Sequence, residues 1–159
     1  MARRGLLYRL FARLSGTRAM GWFSRLVAWR LDPLLLRLTG GRVGFALLLP
    51  SALLETTGAK TGAPRANGVI YFHDGGDPIV IASKLGLPHH PAWFHNVRAN
   101  PAVRFGGEAF HAEVVADAAE RERLWALADR VFPAFADYRV RAAAEGRTIP
   151  IVRLKAHRR

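Results

Sequence analysis

Beyond Phe45 the chain is cut into short apolar or alternating runs by Gly, Pro and Asp, and this punctuation limits the possible folds more than any other feature. Asp74-Gly75-Gly76-Asp77 divides one pair of runs and Gly106-Gly107 divides another. Paired glycines between such runs supply the positive φ angles that tight antiparallel hairpins need. The pattern predicts strands over 45–57, 66–73, 78–83, 102–105 and 108–115. A short helix is expected over 91–99, where Pro91 suits a first turn and Trp93, Phe94 and Val97 share a side. Asp117-Ala118-Ala119-Glu120 is close to a capping box and opens a helix whose Leu124, Leu127, Ala128 and Val131 face inward. Pro133 restarts a helix through Ala144, Gly146 stops it, and a last strand over 149–154 closes the order. Pro150 confines that strand to an edge or makes it a strand start. Hairpins dominate and no βαβ repeat occurs. The expected class is therefore α+β, mainly β, with a mostly antiparallel small barrel in place of a Rossmann fold.

The charge is unevenly spread. Of a formal +12, residues 1–43 hold nine arginines against the single acid Asp32. Leu6, Leu7, Leu10, Phe11 and Leu14 fall at helical spacing with arginines mostly off that face, and a second periodic stretch carries Trp22, Phe23, Leu26, Val27 and Trp29. Two regions follow: a basic amphipathic helical segment over 1–43 and a barrel domain over 44–159. The segment fits an anionic membrane surface, with arginines opposite Leu, Phe and Trp, or else a helix pair packed on the barrel with a solvated basic face. No run approaches the roughly 18 uncharged apolar residues of a transmembrane helix, and no signal-peptide h-region is present. With so mild an excess over 44–159 and no interleaved aromatics, a nucleic-acid partner is not expected. The chain has no cysteine, which removes disulfides, thiol nucleophiles and thiolate zinc sites. A cytoplasmic location, peripheral on the inner membrane face, is the expectation.

Three clusters carry candidate chemistry. Gly58-Ala59-Lys60-Thr61-Gly62, followed by Arg65, combines close backbone approach with two cations. Such a loop can hold a phosphate or carboxylate, although the P-loop order is missing and a plain Gly-rich turn with solvated cations is the alternative. Ser83-Lys84 sets a hydroxyl and an ammonium where the apolar run Ile79–Ala82 ends; anion binding fits better than a serine nucleophile, because adjacent strand residues point to opposite faces. Trp93 and Asn96 lie one helical turn apart, so an indole and an amide face one pocket unless Trp93 is simply core. His89, His90 and His95 lack metal spacing, and no carboxylate lies between Asp77 and Glu108, so no metal is expected.

In order, TTGAKTGAPR, HDGGDPIVIASK, HPAWFHNVRANP, FPAFADY and the closing TIPIV resemble the deazaflavin-dependent nitroreductase family, over roughly residues 44–154. The resemblance implies a split β-barrel like those of flavin reductases and pyridoxamine-phosphate oxidases. It also implies an enzyme that binds coenzyme F420, with FMN as the alternative, and transfers hydride to a hydrophobic electron-poor acceptor such as an enone, quinone or nitro compound. A non-catalytic F420 or fatty-acid binder of the same fold is the competing reading. By the matching positions, Ala59, Lys60, Thr61 and Arg65 would meet the anionic tail, Ile70 would lie along the cofactor, and Ile81, Ala82, Ser83 and Lys84 would meet ring and phosphate. Ala92, Trp93 and Asn96 would enclose it. Where the family pattern offers three tyrosines beside the ring, this chain has Phe132, Phe135 and Tyr138, leaving Tyr138 as the one hydroxyl on the substrate side. That favours an enone or quinone over a nitro compound. A further position where family members place tyrosine is Ile70 here.

Overall fold

Asp74-Gly75-Gly76-Asp77 turns the chain between two strands, as the paired glycines require: Gly75 and Gly76 have φ 59° and 92°. The computed structural model describes residues 49–156. Six strands lie in them, β1 (Ser51–Thr57), β2 (Pro64–Asp74), β3 (Asp77–Ile81), β4 (Ala102–Phe105), β5 (Glu108–Val114) and β6 (Ile151–Ala156). Three helices accompany them, α1 (Ala92–Ala99), α2 (Ala118–Val131) and α3 (Ala134–Ala144), with a single 3-10 turn at Lys84–Gly86. The strands close into a barrel in the order β1-β2-β3-β6-β5-β4, every neighbouring pair antiparallel. Closure through Leu54↔Phe105 and Glu55↔Arg104 leaves no exposed sheet edge. The expected α+β, mainly antiparallel barrel with a helical pair before its last strand is the observed fold.

Strand alternation sorts the side chains into two cores. Leu54, Val69, Val80, Phe105, Val152 and Leu154 fill the interior, joined by Trp93, Phe94 and Val97 of α1, which packs on β1. Phe72, Ile79, Ile81 and Ile151 point outward and are covered by Leu124, Trp125, Phe135 and Tyr138 of α2 and α3. The centres of β3 and β6 are therefore buried on both faces, which explains why Ile79-Val80-Ile81 runs apolar without a break.

Several boundaries differ from expectation for local reasons. β1 starts at Ser51, and positions 45–48 lie outside the described residues, as do the N-terminal helices and the division at residue 43. β3 stops at Ile81, two residues early, because the carbonyls of Ala82 and Ser83 are taken by the guanidinium of Arg147 and Lys84 turns left-handed. β6 begins after Pro150, whose carbonyl accepts from the Ala82 N–H at 3.0 Å. Pro150 thus sits before the strand start, one of the two places open to it. At the head of α2, the Asp117 side chain accepts from the Glu120 N–H at 2.7 Å, but the Glu120 carboxylate turns away to Arg153. The capping box is half formed. Among the described residues no helix is long and apolar enough to cross a membrane.

Candidate functional site

The loop between β1 and β2 folds on itself before it meets anything else. Gly58 N–H donates to Ala63 O at 2.9 Å, and Gly62 N–H donates to Gly58 O at 2.8 Å. A β-carbon at Gly58 would stand 3.0 Å from Thr61 Oγ1 and 3.1 Å from Ala63 O, so the tight return needs glycine there. Ala59, Lys60, Thr61 and Arg65 are left exposed on it. Among the described residues neither the Lys60 ammonium nor the Arg65 guanidinium has a hydrogen-bond or ion-pair partner.

Asn96 fixes this loop to α1. It is 8% exposed; its Oδ1 accepts from Ala59 N–H at 3.0 Å, and its Nδ2 donates to Thr56 Oγ1 at 3.0 Å. Every polar atom of the amide is matched to one function, holding the loop against the barrel. Trp93, one turn earlier, is 5% exposed and belongs to the interior core, while Ala92 is exposed at the helix start.

The Ser83–Lys84 segment reaches the same end of the barrel. β2 and β3 are antiparallel, with Tyr71↔Val80 and Phe72↔Ile79 opposed, so the chain leaving β3 travels back toward the start of β2 and the Gly58 loop. Ile81 and Ile70 lie on the outer face in one apolar cluster with Leu85, while Ala82 points into the barrel and is fully buried. Lys84 Nζ lies 3.4 Å from the carbonyl of His90. The half-buried ring of His90 is held below its ordinary value, first by burial and then by the charges of Arg147, His95, Arg98 and Lys84. Its Nδ1 is buried without a partner. This end of the barrel is thus rich in cations, and no carboxylate occurs from residue 78 to 107 to neutralise them.

Sequence reasoning missed Arg147. Its guanidinium is buried and donates from Nη1 to Leu87 O and His89 O, each at 2.6 Å, and from Nη2 to Ser83 O at 2.6 Å and Ala82 O at 3.2 Å. It also missed the ionic role of the hairpin, whose turn was read correctly. Arg153, 9% exposed, donates to Asp74, Asp77 and Glu120, and Arg123 and Lys155 add to the pairings. That network occupies the opposite end of the barrel. Its aspartates are anchors for α2 and β6 and lie away from the cationic rim.

Tyr138 is 4% exposed, with Phe132 and Phe135 at ring-centroid distances of 6.0 and 6.2 Å. Burial pushes its phenol up to about 12. Its backbone closes over the 3-10 turn, where a β-carbon on Gly86 would lie 2.7 Å from Tyr138 O. Among the described residues no group of three or more His, Asp or Glu could hold a metal ion.

A closed six-stranded barrel with a cationic rim has counterparts among known proteins. The family model for F420H(2)-dependent quinone reductase matches residues 28–156. The chain belongs to that family. An F420H(2)-dependent quinone reductase of Mycobacterium tuberculosis is 46% identical over 76 residues, which are 46% of this chain and 51% of that protein. The chain spans about half the length of this and the other curated relatives it matches at that identity. A second M. tuberculosis protein, whose name gives the same activity provisionally, is 33% identical over 115 residues, 70% of this chain and 94% of that protein. Among solved structures, an F420-H2 dependent reductase is 34% identical with a TM-score of 0.58, covering 67% of this chain and 94% of its own. Another, described as a domain-swapped dimer, is 30% identical with a TM-score of 0.60, covering 86% and 99%. The family is named for quinone reduction, whereas the sequence motifs suggested a nitroreductase grouping of the same F420-dependent kind.

Proposed function

We propose that the chain is an F420-dependent reductase that passes hydride from the reduced deazaflavin to a hydrophobic, electron-poor acceptor, a quinone first among them. The observation that carries this reading is the pair of unpartnered cations, Lys60 and Arg65, on a loop tied down by Asn96 at the end of the barrel toward which the Ser83–Lys84 turn also runs. A phosphate- and glutamate-bearing tail supplies the negative charge such a rim lacks, and charge-assisted hydrogen bonds are among the stronger non-covalent contacts. The residues fit the group in a second way: half-buried Ile70 and Leu85 lie against the apolar cluster that holds Ile81, and offer apolar surface suited to a flat ring.

When bound, F420 supplies a two-electron hydride donor with little one-electron chemistry. The protein's own part is then to bind, orient and exclude water. Lys60, Arg65 and Lys84 hold anionic groups, Ala59 and Thr61 shape the loop around them, Ala92 borders that end, and Asn96 and the buried Trp93 support it from within α1. Tyr138 keeps its proton at Oη across the neutral range, so on the substrate side it acts as a donor toward a carbonyl oxygen. Phe132 and Phe135 offer no such donor, which favours a quinone over a nitro group. A peripheral attachment to anionic membrane through the arginines of 1–43 would bring the protein to lipid-soluble quinones.

Titrating oxidised F420 by its fluorescence tests the reading. Saturable binding at roughly micromolar affinity is expected, and joint Lys60→Ala and Arg65→Ala substitution should abolish it while leaving the unfolding midpoint in place. Saturable FMN binding with none of F420 would sink the assignment. Binding of F420 with no oxidation of F420H2 by a panel of quinones, enones and nitro compounds would mark a non-catalytic carrier.

A further inference from the structure

Arg147 follows the end of α3 and reaches the segment that leaves β3. Gly146, at φ 66°, ends the helix with its N–H on Ala143 O at 3.0 Å, and Arg147 N–H reaches back to Ala142 O at 2.8 Å. This paired closure turns the next side chain inward from the helix axis. The Arg147 guanidinium then meets four carbonyls and no carboxylate, which is unusual for a cation only 8% exposed.

The four carbonyls lie at the two ends of one segment: Ala82 and Ser83 where it leaves β3, Leu87 and His89 before α1. Between them the backbone is left-handed at three successive residues, Lys84 (φ 47°), Leu85 (φ 58°) and Gly86 (φ 75°). Two of the three carry β-carbons, so the turn costs conformational energy and persists only where its surroundings impose it. Gly86 is pressed beneath Tyr138, and the Arg147 guanidinium bridges the two ends of the segment. A planar fork with two terminal nitrogens bridges both ends at once; a lysine ammonium, one nitrogen on a flexible stem, does not.

We propose that Arg147 is a positioning residue of the coenzyme site, fixing the strained 82–89 segment so that Ser83 and Lys84 stand ready for the anionic ligand. The proposal rests on the F420 reading for its ligand, while the holding of the turn does not.

The test uses Arg147→Lys in the full chain, with amide hydrogen exchange on the coenzyme-free protein and steady-state kinetics with menadione. Exchange at residues 83–87 should quicken without ligand, and both the F420 dissociation constant and the KM for F420H2 should rise roughly tenfold. The menadione KM and kcat should hold within about twofold, a split that general loosening of the fold would not produce. Wild-type exchange and F420 affinity in a folded Arg147→Lys protein overturn the proposal, as does an equal loss in every kinetic constant. If the unsubstituted chain takes up no F420, the functional reading fails and the exchange experiment still decides whether Arg147 holds the turn. If Arg147→Lys does not fold, Leu85→Gly is added to relieve one left-handed residue, and F420 affinity should fall below that of Leu85→Gly alone. Equal affinity, or failure of the double variant to fold, overturns it.

Discussion

The side-chain oxygen of Asn96 accepts the backbone N–H of Ala59 at 3.0 Å across 37 positions of sequence, while its amide nitrogen donates to Thr56. One residue on α1 therefore seats a loop that carries two unpaired cations. The loop's internal hydrogen bonds give it its tight return but leave Ala59 N–H to an outside acceptor, so tertiary contact decides where the loop is seated.

Asn96→Leu should remove both bonds and leave Thr56 Oγ1 buried without this donor. The expected cost is about 2 kcal/mol of unfolding free energy, read by urea denaturation. F420 affinity should fall with it even though Asn96 carries no charge. Asn96→Asp would keep an acceptor for Ala59 N–H, lose the donor to Thr56 and add a negative charge near the anionic ligand, so it should bind F420 less well than Asn96→Leu at low salt.

Asp74 governs the acid side of the stability profile. Hydrogen bonds from Arg123, then Arg153, hold its carboxyl well below the usual carboxylate range, against the opposing effect of burial. Asp77 is lowered as well, first by Lys155. For a depressed carboxylate the stabilisation is complete above the unfolded value, about 4, and is lost as pH falls toward the folded value. Asp74→Asn should therefore cost about 1 kcal/mol or more at pH 7, and the gap from the unsubstituted protein should narrow below about pH 4. Equilibrium unfolding at a series of pH values checks it; a gap constant down to the acid limit contradicts the network's role.

Tyr138 gives the opposite sign at the alkaline end. Its phenol is raised to about 12 by burial, so the folded state holds a proton that the unfolded chain releases near 10. Stability from this group is present below about pH 10 and lost as pH rises toward the folded value. Tyr138→Phe should remove that alkaline loss and leave neutral stability nearly unchanged, since among the described residues the hydroxyl has no hydrogen-bond partner. If Tyr138 Oη donates to the acceptor, the same variant should lower kcat/KM for quinone about tenfold or more and leave F420 affinity intact.

The barrel was legible because its determinants are local. Asp74-Gly75-Gly76-Asp77 and Gly106-Gly107 specify hairpins within four residues, and Asp117 caps its helix within three. The rim clusters were legible as residue types at strand ends: Lys60, Ser83 and Lys84 follow strands that return to one end of the barrel. Arg147 and Arg153 were not, for a physical reason. Their partners lie from 33 positions away, at Glu120, to 79, at Asp74, and a lone arginine near a closing strand has the same local pattern whether it is solvated or buried. Trp125 illustrates the same limit. Beside Leu124 it widens the buried face of α2, and the Arg139 guanidinium covers its ring at 4.5 Å. Only the packing of α3 on α2 reveals that.

Gly86 offers the sharpest separation between strain and crowding. A β-carbon there would lie 2.7 Å from Tyr138 O and 3.0 Å from the Arg141 β-carbon, at φ 75°. At Gly76, φ is 92° and nothing lies within 4 Å, so a β-carbon meets conformational strain alone. Gly76→Ala should cost about 1–2 kcal/mol and Gly86→Ala about 2–4 kcal/mol, compared by urea unfolding under one condition. The larger loss should carry a functional effect, because relieving the clash means moving α3 off the 3-10 turn or moving the turn itself. Either motion displaces Lys84, so Gly86→Ala should weaken F420 binding and Gly76→Ala, at the far end of the barrel, should not. Equal effects of the two substitutions on F420 affinity would mean that the Lys84 turn is not coupled to the helix above it.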